Sequence, residues 1–135
     1  MVKVIVGQKG SGKTKELIEA IAGAVKTESG SIVCIEKGNS LRYDVSYHVR
    51  LVDAKEYQIR TFDQLTGFVS GLHAGNFDIT HIFIDNLYKL LRNDRAQAAE
   101  FCRWCEAFGE KNRINFTLAI SDDPDSVDEA LRKYL

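Results

Sequence analysis

The sequence predicts a three-layer α/β/α sandwich built on a mostly parallel sheet. Short apolar runs recur along the chain, at Val2 to Val6, Ser31 to Ile35, His81 to Ile84 and Asn115 to Ile120. Segments with helical apolar spacing separate them. The runs are apolar at nearly every position rather than alternating, which is the pattern of strands covered on both faces. Strands that alternate with helices specify a parallel sheet flanked by helices.

Each element follows in order. Val2 to Val6 is a β-branched strand that stops at Gly7, and Thr14 to Val25 carries Leu17, Ile18, Ile21, Ala22 and Val25 at helical spacing. Ser29-Gly30 ends that helix, and Ser31 to Ile35 forms the next strand. From Lys37 to Ile59 the pattern is least legible; His48 to Val52 is a short strand candidate. Thr61 followed by Gln64 is a capping box that opens a helix to about His73, with Gly75-Asn76 as its exit. His81 to Ile84 is a strand that ends at Asp85. Ala98, Phe101, Cys102, Cys105 and Phe108 stripe a helix from Ala96 to about Lys111, and Asn115 to Ile120 follows as a strand. Ser126 and Glu129 form a second capping box, predicting a last short helix to Tyr134.

A chain of 135 residues without repeats, with a single proline and no linker-like tract, reads as one domain over 1–135. Its 18 basic and 19 acidic residues leave a formal charge of -1 and no long run of either sign, so nothing in the charge pattern supports nucleic acid or an anionic membrane as partner. No apolar run approaches the roughly 18 residues needed to span a bilayer, and the N-terminus lacks the pattern of a signal peptide. Three cysteines, an odd number, suit a reducing compartment, and the expected location is cytoplasmic.

The chemistry concentrates in Gly7-Gln8-Lys9-Gly10-Ser11-Gly12-Lys13-Thr14. Glycines let the backbone curl around phosphate groups, and Gly10 and Ser11 keep the middle of the loop small. Converging N–H groups from about Lys9 to Thr14, with the positive end of the following helix, answer the charge of a nucleoside triphosphate. Lys13 is expected on the β- and γ-phosphates and the Thr14 hydroxyl on Mg²⁺. The four fixed positions match by chance on the order of once in a few hundred chains of this length. The strand before the loop and the helix after it narrow that further.

Asp85, at the carboxyl end of an apolar strand, is placed to hold Mg²⁺ through its waters. The competing reading makes it the N-cap of a helix over Asn86 to Leu91.

Together, Gly7 to Thr14 and Ile82 to Asp85 resemble the Walker A and Walker B elements of the P-loop NTPase superfamily. That resemblance implies a P-loop NTPase fold, with ATP as ligand and Mg²⁺ as cofactor. Many ATPases of the superfamily place a catalytic glutamate directly after the Walker B aspartate, where this chain has Asn86. Members of the RecA-like branch carry the water-activating glutamate at the end of the strand after the P-loop helix, which here is Glu36, and the Ile84-Asp85-Asn86-Leu87 pattern is similar to that branch. Glu36 is thus a candidate base; the alternative is a solvated turn over Glu36 to Asn39. The loop also resembles those of secretion and twitching-motility ATPases.

Other residues take plainer readings. Cys102 and Cys105 share a helical face with Phe101 and Phe108, which favours core packing over zinc. Arg42, Arg92, Arg95 and Arg113 are surface residues or sources of a charge-stabilising arginine. Ser121 is a γ-phosphate sensor or part of the turn before Pro124. Three functional classes follow: an ATPase with Lys13 and Glu36 in catalysis, a non-hydrolysing nucleotide-binding module, and a small-molecule kinase. A further protein partner or a homo-oligomer is compatible with each.

Overall fold

The computed structural model describes all 135 residues and holds five strands: β1 (Val2–Gly7), β2 (Ser31–Glu36), β3 (Val49–Asp53), β4 (Ile79–Ile84) and β5 (Asn115–Ser121). The helices are α1 (Lys13–Thr27), α2 (Phe62–Gly75), the one-turn α3 (Leu87–Leu90) and α4 (Arg95–Asn112). Every pairing is parallel, and the strands lie in the order β1, β5, β4, β2, β3.

Both faces of the sheet are covered, so alternate residues of each strand enter different cores. Ile5, Ile32, Cys34, Phe83 and Ala119 meet Leu17, Ile21 and Ala24 of α1. Val4, Val33, Ile35, Ile82, Ile84, Phe116, Leu118 and Ile120 point the other way, toward α2, α4 and the C-terminal turns. This three-layer arrangement explains the unbroken apolar runs: each second side chain has a hydrophobic partner on its own face. Gly109 lets α4 end close against β5, because a Cβ there would stand 2.4 Å from the Ile114 carbonyl oxygen.

Besides shifts of one or two residues at element ends, three details differ from the sequence reading. The candidate strand at His48 to Val52 is β3, shifted by one residue. Thr61 does cap α2, accepting from the Gln64 amide at 3.2 Å, but the Gln64 side chain reaches back to the Arg60 amide rather than to Thr61. The C-terminal segment contradicts the expected helix: Pro124–Ser126 and Glu129–Tyr134 are 3₁₀ turns. Asp123 and Asp128, not Ser126 with Glu129, accept the free amides, those of Asp125 and Ala130. An aspartate that bonds the backbone two residues on favours a tight turn over the start of an α-helix.

Candidate functional site

The site forms at the carboxyl ends of the parallel strands, where β1, β4 and β5 deliver their terminal residues to one rim. β1 runs into Gly7, the loop turns through Gly10 (φ 86°) and Gly12 (φ 91°), and α1 starts at Lys13. Both dihedrals lie in the left-handed region, which costs a residue with a Cβ roughly 1–2 kcal/mol. Gly7 leaves room for the Ser11 hydroxyl, which a Cβ there would force to rotate away. No side chain caps α1 at Gly12, so its first amides are left for an anion.

β5 separates β1 from β4, so Asp85 reaches the site from two strands away rather than from the neighbouring one. Ser121 ends β5 directly beside Gly7, and the Asp122 amide donates to the Gly7 carbonyl at 3.2 Å. A cavity of about 450 Å³ results, lined among others by Gln8, Lys9, Gly10, Gly12, Lys13 and Thr14 from the loop. Asp85, Asn86, Lys89 and Ser121 complete it, and none of its ten lining residues is hydrophobic. Ser11 lines a neighbouring cavity on the other side of the loop, with Asp123 and Pro124.

The charges inside this cavity act on one another. The Lys13 ammonium donates to the Ser121 hydroxyl. Partial burial pushes the Lys13 pKa down, and the Asp85 carboxylate opposes that shift. Burial raises the pKa of Asp85; Lys13 pulls it down, Glu36 pushes it up, and the Asn86 amide and Lys89 lower it further. Asp85 is not a helix cap: the residue before α3 is Asn86, in the left-handed region at φ 56° and without a side-chain cap bond.

Glu36 stands next to this cavity but outside its lining. It is 3% exposed, and both oxygens are engaged. Oε1 accepts from the Ser40 amide at 3.2 Å and the Ser40 hydroxyl at 2.8 Å, and Oε2 from the Leu41 amide at 3.1 Å. The carboxylate therefore ties down the turn after β2.

None of the four arginines singled out in the sequence lines the site. Arg42 bonds Asn39 and lies over the Tyr43 ring, Arg95 pairs with Asp122 at 2.6 Å, and Arg113 ends α4. Arg92 faces a different cavity. Cys102 and Cys105 are buried thiols of the core, with burial pushing the Cys102 pKa up to about 12. Lys89 was missed by the sequence reading. Four residues beyond Asp85, on a helix of one turn, it has no periodic pattern to mark it; its distance from Asp85 was the available signal.

The model of the AAA family, the ATPase family associated with various cellular activities, matches residues 4–135. The chain belongs to that family. No curated protein matches it. The family match spans the loop, the Asp85 strand and Ser121 together, and this AAA chain is accordingly an ATP-binding P-loop protein with an α/β fold. The residues present fit a magnesium–nucleotide complex: uncapped helix amides and three lysines for the phosphates, and the Thr14 hydroxyl and Asp85 carboxylate as oxygen donors for a hard cation. No helix is long and apolar enough to cross a membrane.

Proposed function

We propose that this AAA domain is a magnesium-dependent ATPase whose isolated chain turns over slowly. The observation that carries the reading is the convergence of Lys13, Thr14, Asp85, Asn86 and Ser121 on one cavity without a hydrophobic residue. In this reading the loop amides from Lys9 to Thr14 cradle the phosphates, with Gly7, Gln8, Gly10, Ser11 and Gly12 shaping the turn. Lys13 exchanges its bond to Ser121 for phosphate oxygens. Thr14 and Asp85 hold Mg²⁺, directly and through water, and the bound ion supplies neutralisation of the charge that develops on the phosphate oxygens. Ser121, released by Lys13, is left to donate to the same phosphate.

Slow turnover follows from what lines the cavity. Asn86 carries no base, Glu36 is occupied by Ser40 and Leu41, and the one lining carboxylate, Asp85, is assigned to the metal. Asn86 orients the attacking water without deprotonating it. No arginine lines the site, and intrinsic rates of P-loop proteins that lack one are on the order of 10⁻³ s⁻¹. A second copy of the chain or a protein partner is the natural source of a completing arginine. Within the superfamily, the Gly7 to Thr14 loop and the Ile84 to Leu87 pattern support a RecA-like placement near secretion and twitching-motility ATPases. The three free, buried thiols support a reducing, cytoplasmic setting.

Steady-state phosphate release from ATP with and without Mg²⁺, beside Lys13→Ala, tests this. Slow, magnesium-dependent release that disappears in the variant is the expected result. Nucleotide binding without any release above buffer would replace the ATPase with a binding module, and ADP formation only with an added hydroxyl acceptor would replace it with a kinase. Unchanged MgATP affinity in Lys13→Ala would remove the site assignment altogether.

A further inference from the structure

A second cavity, of about 350 Å³, opens on the same rim of the sheet, beyond α3. Its size is that of a small-ligand site. Ala54, Ile59 and Leu90 contribute buried apolar side chains to it. Lys37, Lys55, Arg60 and Arg92 bring four cations and no carboxylate lines it. In a chain of formal charge -1 such a gathering is a sharp local departure.

These cations have no partner within the molecule. The salt bridges of the chain use Arg95, Arg132 and Lys133, His81 hydrogen-bonds Glu28, and none of the four side chains at this cavity joins one. Arg42 and Arg95, by contrast, are held by hydrogen bonds. The nearest acid on the flanking strand, Asp53, spends Oδ1 on the Gly38 and Lys55 amides at 2.8 and 2.9 Å and stays outside the lining. Four like charges around one hollow repel each other, and an anion entering it removes that repulsion while gaining charge-assisted hydrogen bonds.

We propose that this cavity is a second anion site, which takes a small phosphate ester with a compact apolar body. The apolar side chains of Ala54, Ile59 and Leu90 match such a body and the rim of lysine and arginine matches its phosphate. The cations surround one hollow instead of forming a stripe, and no aromatic ring lines it for base stacking, which favours a small molecule over a nucleic-acid strand. The site is independent of nucleotide hydrolysis, but the two cavities share α3 and the residues just after it: Lys89 lines the first, Leu90 and Arg92 the second.

The test uses the full chain saturated with Mg²⁺ and a non-hydrolysable ATP analogue, so that the glycine loop is occupied. Phenyl phosphate is titrated in, and backbone amide resonances are followed by NMR. Saturable shifts at Ala54, Ile59 and Leu90, with a Kd near or below about 1 mM, are expected. Lys55→Ala combined with Arg60→Ala, both at exposed positions, weakens binding about tenfold while the spectrum remains that of a folded chain. Inorganic phosphate binds the same residues more weakly, and benzyl alcohol does not bind. Shifts that fail to saturate by about 10 mM, or that persist unchanged in the double variant, would overturn the proposal. So would tighter binding of a single-stranded oligonucleotide at these residues, which would make the surface a nucleic-acid contact. The Gly12 amide reports separately on the loop, so failure here is distinct from failure of nucleotide binding.

Discussion

Replacing Asp85 with asparagine should make the nucleotide-free protein more stable and the nucleotide site worse. Burial is the largest influence on this carboxyl and Glu36 adds to it, and together they outweigh the attraction of Lys13 and Lys89, since the net pKa shift is upward. A carboxyl whose folded-state pKa is raised lends stability that is complete below its unfolded pKa and is lost as pH rises through the folded one. At neutral pH the ionised Asp85 is therefore a net cost, which the uncharged amide of the variant would not carry. Asp85 is only half-buried, so the gain belongs in the lower half of the range for relieving a functional site, about 1 kcal/mol. For a domain of this size that corresponds to about 4 °C in Tm. Thermal unfolding followed by circular dichroism in EDTA, without nucleotide, reads it directly. The difference should shrink as pH is lowered, because protonated Asp85 and asparagine carry the same charge. In parallel, Mg²⁺ should cease to strengthen ATP binding, with about a tenfold loss of MgATP affinity. A lower Tm for Asp85→Asn would refute the reasoning, since it would mean that the attraction to Lys13 outweighs desolvation.

Three further outcomes follow from particular contacts. Glu36→Gln, which loses charge-assisted acceptance at the Ser40 and Leu41 amides, should lower stability by about 1–2 kcal/mol in urea unfolding and change phosphate release by less than about threefold; a hundredfold fall in release at unchanged stability would reinstate Glu36 as the base. Gly109→Ala forces a Cβ against the Ile114 carbonyl and should cost about 2 kcal/mol while leaving MgATP affinity as it was, checked by unfolding and by titration calorimetry. Burial lowers the pKa of His81 from 6.5 despite the opposing Glu28 contact, so its contribution is present above the unfolded value and is lost as pH falls through the folded one. Stability should thus decline as pH falls below about 6.5, and a His81→Gln variant should lose less over the same range.

Much of the molecule was legible because its strands are short, apolar and punctuated by glycine. The loop could be read because each of its positions has a mechanical role, and Asp85 because it ends an apolar run. The order of the strands was not legible: nothing local to Asn115–Ser121 states that it will insert between β1 and β4. Glu36 was ambiguous in sequence because a strand-end carboxylate serves a turn or a water equally well, and its bonds to Ser40 and Leu41 arise only once the turn after β2 has folded. Lys89 escaped notice because four residues of helix carry no period. The second cavity escaped because Lys37, Lys55, Arg60 and Arg92 are scattered in sequence and meet only once β2, β3 and α3 end on one rim.

Glu28, which follows the last residue of α1, bonds His81 of β4 at 2.7 Å, and the other ring nitrogen of His81 meets Thr117 of β5 at 2.8 Å. The helix that presents Lys13 and Thr14 and the strands that present Asp85 and Ser121 are thus fastened together at the end remote from the phosphates. In mechanical terms they are arms on a common fulcrum. α1 is 15 residues long, so it acts as a lever of about 22 Å, and a tilt of about 5° at the fulcrum carries Thr14 through about 2 Å. Leu17 and Ile21, buried along the same helix, hold that lever against the sheet, so the packing that fixes α1 also fixes where Lys13 and Thr14 stand at the rim.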